Sequence, residues 1–225
     1  MAFKVLLVVA TDAEAEALRK IPGIKSGKDG FVLGRCELYL LVTGVGSMAT
    51  SWEMTKWLSS NPKPDLAINL GIAGSFRDDI IIGEVVVLVS DCFADAGIET
   101  GNDFITLSEA GLSDPDKFPF TGGRILSENK FTSLALTFLN PAKAITVNNA
   151  TGSEVTIERL LKKYNPDIET MEGATFFYIC SGEKLPFVAL RSISNKVELR
   201  NKEKWNIPLA LDRLSEKLEE FLLMV

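Results

Sequence analysis

The chain of 225 residues is 46% hydrophobic and carries a formal net charge of -6, with a sequence pI of about 4.9. The length suits a single α/β domain over residues 1–225, and the acidic balance argues against nucleic acid or an anionic membrane as the main partner. The sequence contains no histidine, which excludes Ser-His-Asp and Cys-His catalysis and every histidine-based metal site.

No apolar run approaches the ~18 residues of a membrane helix, and the first apolar run leads into an acidic helix rather than a signal-peptide cleavage site. The three cysteines, Cys36, Cys92 and Cys180, are odd in number and widely spaced. Free thiols in a reducing environment are the simplest interpretation, so we expect a cytoplasmic protein.

The N-terminal pattern predicts a central strand followed by a capped helix. Residues 4–10 form a continuous apolar run, as expected of a strand covered on both faces. Thr11 and Glu14 then match a capping box, and the helix stops at Pro22-Gly23. Glu14 therefore has a structural interpretation as a cap, although it also follows the carboxyl end of the first strand.

Two glycine-rich segments follow predicted strands. The first, Thr43-Gly-Val-Gly-Ser-Met-Ala49, formally matches a dinucleotide fingerprint, but the next strand, residues 66–70, ends in Gly71 instead of an acidic residue that would bind a ribose. We expect the turn at Gly44 to direct backbone N–H groups at a ligand oxygen. Gly71 and Gly74 would let the backbone approach a flat ligand closely.

The remaining pattern predicts further strands and helices in alternation, which is typical of an α/β layered fold. Residues 80–90 predict a strand, and residues 91–119 a long irregular loop in which Phe93 and Phe104 either line a pocket or anchor the loop. Asn149 lies in a loop after the strand predicted over residues 142–147. Helices are predicted over residues 129–138, 153–164 and 202–224.

Two polar residues stand at the ends of apolar segments near the C-terminus. Glu172 lies where a short apolar segment turns into a helix, and Asn195 lies just after the strand predicted over residues 187–193. The carboxyl ends of strands face the ligand crevice in an open α/β sheet, and this pair suits a ligand with hydroxyls and heteroatoms. The structural alternatives are a charge favourably placed at a helix N-terminus and a turn residue.

Four segments, in this order, resemble the purine nucleoside phosphorylase and nucleosidase superfamily: Ala10-Thr-Asp-Ala-Glu14, Asn69-Leu-Gly-Ile-Ala-Gly74, Thr170-Met-Glu-Gly-Ala174 and Arg191-Ser-Ile-Ser-Asn195. The nearest branches are the methylthioadenosine/S-adenosylhomocysteine nucleosidases and the futalosine hydrolases. The resemblance implies a three-layer α/β/α sandwich with a mixed central sheet, cleavage of a ribosyl C–N bond without metal or cofactor, and a homodimer or larger homo-oligomer.

The resemblance also implies roles for individual residues. Glu14 would polarise the attacking water, Met171 and Glu172 would bind the ribose, and Asn195 would face the purine. Ile72 and Ala73 would offer backbone groups to sugar and base.

Asn195 departs from the adenine-cleaving nucleosidases, which carry an aspartate that donates a proton to N7. An amide offers N–H donors and an acceptor together, which suits a 6-oxopurine. The futalosine hydrolases carry this Ser-Asn pairing and release hypoxanthine in a step towards menaquinone.

Three other functions remain alternatives to a futalosine hydrolase. An adenine-specific methylthioadenosine nucleosidase is the second, and Asn195 argues against it. A phosphorylase is the third, although Asn69 and Ile72 stand where such enzymes carry phosphate-binding residues. An inert nucleoside-binding protein is the last, and the presence of both carboxylates argues against it.

Overall fold

The computed structural model of the protein describes residues 2–27, 30–101, 103–199 and 201–225. The strands are β1 Phe3–Val9, β2 Lys25–Ser26, β3 Phe31–Leu33, β4 Cys36–Val42, β5 Leu66–Ser75, β6 Val85–Asp91, β7 Gly97–Thr100, β8 Asp103–Thr106, β9 Phe120–Thr121, β10 Arg124–Leu126, β11 Asn140–Thr146, β12 Ile168–Thr170 and β13 Phe187–Lys196. The helices are α1 Asp12–Arg19, α2 Ser47–Ser60, α3 Lys130–Ala135, α4 Glu154–Tyr164, α5 Gly173–Gly182 and α6 Ile207–Met224, and a 3-10 turn covers Lys202–Lys204.

One mixed sheet contains all of these strands except the β7–β8 hairpin, in the order β2-β3-β4-β1-β5-β12-β11-β6-β10-β9. Strand β13 lies outside this path and pairs parallel to β5 and antiparallel to β6. The pairings of β5 with β12, β12 with β11, and β11 with β6 complete a closed ring of five strands. The ring brings the ends of β5, β12 and β13 together.

The continuous apolar run of β1 is buried on both faces, as its sequence predicts. Val5 and Leu7 pack in a cluster with residues of α1, α3 and α6, such as Phe221. Leu6 and Val8 pack in a second cluster with residues of α2 and α5, such as Phe176. Fully burying a side chain of this size contributes roughly 1.5–3 kcal/mol, so the strand holds both helical layers to the sheet. The expected α/β/α sandwich with a mixed central sheet is confirmed.

Two predicted strand ends are wrong, and both corrections affect the ligand crevice. Strand β5 does not stop at residue 70 but continues to Ser75, because β12 and β13 pair with its glycine-containing end. Strand β13 continues to Lys196, with an irregularity in its pairing between Ile193 and Asn195. Asn195 therefore lies within the paired end of β13, opposite Gly74, rather than after the strand.

Residues 91–119 are also more ordered than predicted. They contain the β7–β8 hairpin, and Phe104 in that hairpin is buried beneath Arg159 and Lys163, so this aromatic residue anchors the segment. The strand predicted to begin at residue 80 begins at Val85. All three cysteines are buried free thiols, as expected.

Across the described ranges, no helix combines the length and the apolar character needed to cross a membrane.

Candidate active site

A cavity of about 350 Å³ opens where β1, β5, β12 and β13 end, beside the first turns of α1 and α6. Most of the residues expected at the site line this cavity: Glu14, Ile72, Ala73, Gly74, Met171, Glu172 and Asn195. The expected crevice at the strand ends is therefore present, and it collects both carboxylates and the amide.

Glu14 serves as a helix cap and as a cavity group at the same time, because its two oxygens face different partners. Oε2 accepts hydrogen bonds from the N–H groups of Ala10 (3.1 Å) and Thr11 (2.9 Å) and from the Thr11 hydroxyl (2.9 Å). The Thr11 hydroxyl in turn accepts from the Glu14 N–H, which completes the predicted capping box. Oε1 accepts from the N–H of Ile72 on β5 at 3.3 Å.

Gly71 provides the space that Glu14 occupies. A Cβ atom on Gly71 would stand 2.8 Å from Oε1 of Glu14 and 3.7 Å from Nε of Arg191. Any side chain at position 71 would therefore push the carboxylate away from its place. The sequence suggested that this glycine serves the ligand, whereas in the structure it makes room for a carboxylate.

Glu172 is fixed by the glycine turn that precedes α2. It occupies the N-cap position of α5 without bonding to that helix, and its Oε1 accepts from the N–H of Gly46 at 2.9 Å. Burial raises the pKa of the Glu172 carboxyl, while Arg191 and the Gly46 N–H oppose that shift. The N–H expected to face a ligand thus belongs to Gly46 and binds Glu172. Gly44 lies in the same turn but does not line the cavity.

Threonine hydroxyls cap α5 in place of Glu172. The N–H of Gly173 donates to the Thr170 hydroxyl at 3.2 Å, and the N–H of Ala174 donates to the Thr146 hydroxyl at 2.8 Å. The Thr146 hydroxyl lies 3.0 Å from Oδ1 of Asp91, which is fully buried. Because these groups satisfy the helix end, the side chain of Glu172 is available to the cavity.

Arg191 lies beneath the two cavity carboxylates and is 1% exposed. Its guanidinium donates to the carbonyls of Asn69 (3.1 Å) and Leu190 (3.1 Å) and to the side-chain oxygen of Asn69. Desolvation lowers the pKa of Arg191, and the charges of Glu172 and Glu14 oppose this shift. Arg191 therefore neutralises part of the negative charge gathered at this end of the cavity.

The amide of Asn195 has a defined orientation. Its Nδ2 donates to the carbonyl of Lys196 at 2.8 Å, and its Oδ1 accepts from the Ser194 hydroxyl at 2.7 Å. Exchanging the two ends would place an oxygen against the Lys196 carbonyl, so the flip that an isolated amide allows is disfavoured here. The second N–H of Nδ2 remains for a ligand.

Sequence reasoning missed Glu169, a third carboxylate that lines the cavity. Glu169 is 9% exposed, and its Oε1 accepts from the N–H of Thr151 at 2.9 Å while its Oε2 accepts from the Thr151 hydroxyl. Burial raises the pKa of Glu169, and the two bonds from Thr151 oppose the rise. The available signal in the sequence was its position three residues before Glu172, in the short strand β12.

Besides Gly44, two residues expected at the site do not line this cavity. Phe93 lines a separate cavity of about 420 Å³ together with Arg124 and Tyr164, and Asn149 is exposed beside the first cavity's Ala150 and Thr151. Within the part of the chain that the structure describes, no three acidic or cysteine side chains are grouped to hold a metal ion.

Comparison with known proteins agrees with this fold. The chain is 26% identical over 222 residues to the futalosine hydrolase of Streptomyces coelicolor, covering 94% of this chain and 92% of the relative. Its fold matches a mutant methylthioadenosine nucleosidase of Helicobacter pylori (TM-score 0.83, 16% identity, all of both chains). It also matches the futalosine hydrolase of H. pylori (TM-score 0.81, 16% identity, 100% of this chain and 99% of the other). A family model described as the phosphorylase superfamily matches residues 4–223, and the chain belongs to that superfamily.

Proposed function

We propose that this protein is a nucleosidase that hydrolyses the N-ribosidic bond of futalosine and releases hypoxanthine. The observation that carries the choice of base is the orientation of Asn195, whose amide is held with an N–H available to the cavity. On hypoxanthine, O6 and N7 are neighbouring acceptors, whereas adenine shows a donor beside N7. The N–H of Asn195 is a neutral donor and suits the O6 and N7 acceptors of hypoxanthine. It supplies no titratable proton that would let adenine leave as a neutral base.

The two carboxylates supply the chemistry expected of glycoside hydrolysis. The ribosyl carbon becomes oxocarbenium-like as the C–N bond breaks, and nearby negative charge stabilises it. Glu14 would orient and deprotonate water through Oε1, since Oε2 already accepts three hydrogen bonds. The base would leave as an anion that the Asn195 N–H stabilises, and it would then take up a proton from solvent, to which Glu14 returns the proton it removed. Glu172, held by the Gly46 N–H, would accept from the ribose hydroxyls, and Met171 and Ile72 would border the sugar.

The cavity has an apolar wall for the group at the ribose 5′ carbon. Trp205, Ile207 and Leu211 line the cavity at the start of α6, and Asn201 adds an amide there. The aromatic 5′ substituent of futalosine suits such an apolar wall, and the amide of Asn201 suits the carboxylate that this substituent carries.

Water rather than phosphate is the proposed acceptor. Asn69, which stands where phosphorylases of this superfamily bind the anion, is buried and bonds to the carbonyl of Val8 (3.1 Å) and to Arg191. Glu14 and Glu172 would repel phosphate at the sugar end. The rate of base release should be the same with and without phosphate, and the formation of ribose 1-phosphate would contradict hydrolysis.

We also propose a homodimer or larger oligomer in the cytoplasm. Along α2 and its preceding turn, Val45, Met48 and Trp52 are 54%, 86% and 68% exposed, and an exposed apolar face of this kind suits contact with another protein surface. Val45 also lines the cavity, so a second copy covering this face would close the site. The free cysteines suit a reducing compartment.

The decisive test compares futalosine with its adenine analogue carrying the same 5′ group. We expect kcat/KM to be at least about 30-fold higher for futalosine, since two mismatched polar contacts cost about 1–3 kcal/mol each. Release of the base is followed by chromatography. A preference for the adenine substrate would replace this proposal with an adenine-releasing nucleosidase.

A further inference from the structure

Glu169 and Asn195 occupy equivalent positions on either side of one glycine. Gly74 of β5 pairs with Glu169 of β12 on one edge and with Asn195 of β13 on the other. Residues paired in register project towards the same face of a sheet, and both side chains line the cavity. A Cβ atom on Gly74 would stand 2.9 Å from Cγ2 of Val197 and 3.1 Å from Nδ2 of Asn195, so a side chain at position 74 would press on the Asn195 amide.

This arrangement separates a base end from a sugar end along β5. Ile72, whose N–H bonds to Glu14, lies two residues before Gly74. Two residues of a strand span roughly 6.6 Å, which is close to the distance from the sugar carbon of a purine nucleoside to the far edge of its six-membered ring. A purine bound over Gly74 therefore lies between Asn195 and Glu169 while its sugar carbon stays beside Glu14.

We propose that Glu169 is a second base-selecting residue, which accepts the N1–H of a 6-oxopurine through a carboxylate oxygen. This inference rests on the proposed nucleosidase function and adds the residue that reads the other edge of the base. Thr151 bonds to both oxygens of Glu169 and so fixes the carboxylate, and these bonds oppose the rise in the pKa of Glu169 that burial causes. Each oxygen retains a second acceptor site.

The chemistry of the two bases explains the selection. Hypoxanthine carries a hydrogen on N1 and donates to the carboxylate. Adenine presents a lone pair at N1, which a buried carboxylate repels. Glu169 is 9% exposed, so water does not relieve a mismatch at this position. An anchoring role is the structural alternative, in which Glu169 only ties the loop at Thr151 to β12.

The test measures kcat/KM of Glu169→Gln for futalosine and for its adenine analogue. Glutamine keeps the size and one acceptor for the Thr151 N–H but replaces the other oxygen with an NH2 group and removes the charge. We expect the preference for futalosine to fall at least about tenfold, the cost of one charge-assisted hydrogen bond. Glu158→Gln, on the exposed side of α4, is the matched control and should leave the preference unchanged.

Inhibition by the free bases gives a second readout. The wild type should bind hypoxanthine more tightly than 1-methylhypoxanthine, which lacks the N1 hydrogen, and Glu169→Gln should narrow that difference. Thr151→Val removes only the hydroxyl that orients Oε2 of Glu169. It should lower the preference for futalosine and for hypoxanthine over 1-methylhypoxanthine to a smaller extent, and it replaces Glu169→Gln as the test if that variant does not fold.

The outcomes separate the two proposals. If the wild type prefers futalosine and the Glu169→Gln and Thr151→Val variants keep that preference, Glu169 only ties the loop at Thr151 to β12. In that case this inference is wrong and the proposed function stands. If the wild type prefers the adenine substrate, the proposed function fails, and this inference fails with it.

Discussion

Substituting Gly71 by alanine tests whether the position of Glu14 matters to the reaction. The new methyl group would stand 2.8 Å from Oε1 of Glu14, whereas ordinary contacts of a Cβ atom begin at 3.4 Å. The carboxylate must therefore retreat by about 0.6 Å. Retreat is opposed at Oε2 by three hydrogen bonds from Ala10 and Thr11, so the strain acts mainly on Oε1 and its 3.3 Å bond from Ile72.

A displacement of this size at the group that orients water has a predictable cost. Misplacement of a catalytic group by about 1 Å costs on the order of a hundredfold, so we expect Gly71→Ala to lower kcat by roughly 10- to 100-fold. Gly71 is not among the glycines with positive φ, so alanine introduces no backbone strain there. KM should change little, because the ribose contact through Glu172 is preserved.

The assay is steady-state hydrolysis of futalosine together with thermal unfolding of each variant. Gly182→Ala is the matched control, because a Cβ on Gly182 meets nothing within 4 Å. If Gly71→Ala folds normally and keeps kcat within twofold of the wild type, the placement of Glu14 does not limit the reaction and its role is capping alone.

The remaining substitutions follow from the same geometry. Glu172→Gln and Glu14→Gln should each lower kcat by at least about a hundredfold with the fold intact; a Glu14→Gln variant that loses stability but keeps its activity would identify a cap only. Asn195→Asp should narrow or reverse the preference for futalosine over its adenine analogue, since a protonated carboxyl can donate to N7, and an unchanged preference would show that base selection lies elsewhere. Trp52→Glu should shift the protein towards monomers in sedimentation, whereas a wild type that is monomeric and fully active at micromolar concentration would remove the basis for a shared interface.

Elements specified by local signals were predictable from the sequence. The capping box of Thr11 and Glu14 depends only on two residues three positions apart. The continuous apolar run of β1 indicates by itself a strand that is buried on both faces. The ordered set of motifs placed Glu14, Glu172 and Asn195 at one crevice, and all three line one cavity. Glu14 lies in the first turn of the helix that follows β1, Glu172 lies two residues after β12, and Asn195 lies near the end of β13. The order of strands and helices therefore brings all three to one edge of the sheet.

Features that depend on pairing between distant strands were not predictable. The glycine segment ending β5 reads as a loop by composition, and only β12 and β13, about 95 and 120 residues further along, convert it into strand. The same pairing buries Glu169 beside Gly74, so its local sequence, apart from its closeness to Glu172, does not mark it as a cavity residue. Likewise, which glycine of the turn binds Glu172 depends on a contact across 126 residues.

Asp91 provides a test of how the buried network beneath α5 is charged. Burial raises the pKa of Asp91 from 3.8 to about 7, against the opposing effects of Arg124 and the hydrogen bond from Thr146. A carboxyl whose pKa is raised on folding stabilises the protein below its unfolded pKa, and this contribution is lost as the pH rises through the folded value. Stability should therefore fall between about pH 4 and pH 7, by roughly 4 kcal/mol at most.

Asp91→Asn keeps an acceptor for the Thr146 hydroxyl and removes the titration. Between pH 5 and pH 8 we expect the wild type to lose roughly 2–3 kcal/mol more of its unfolding free energy than the variant. Urea unfolding of both proteins at several pH values measures this difference, and groups shared by the two proteins cancel. Activity at pH 6 should be nearly unchanged, because the Thr146 bond to the N–H of Ala174 survives and Glu172 keeps its place. Parallel pH profiles would instead mean that Asp91 is ionised throughout, with Arg124 and Arg191 as its counter-charges, and that α5 begins above a buried ionic cluster rather than a neutral one.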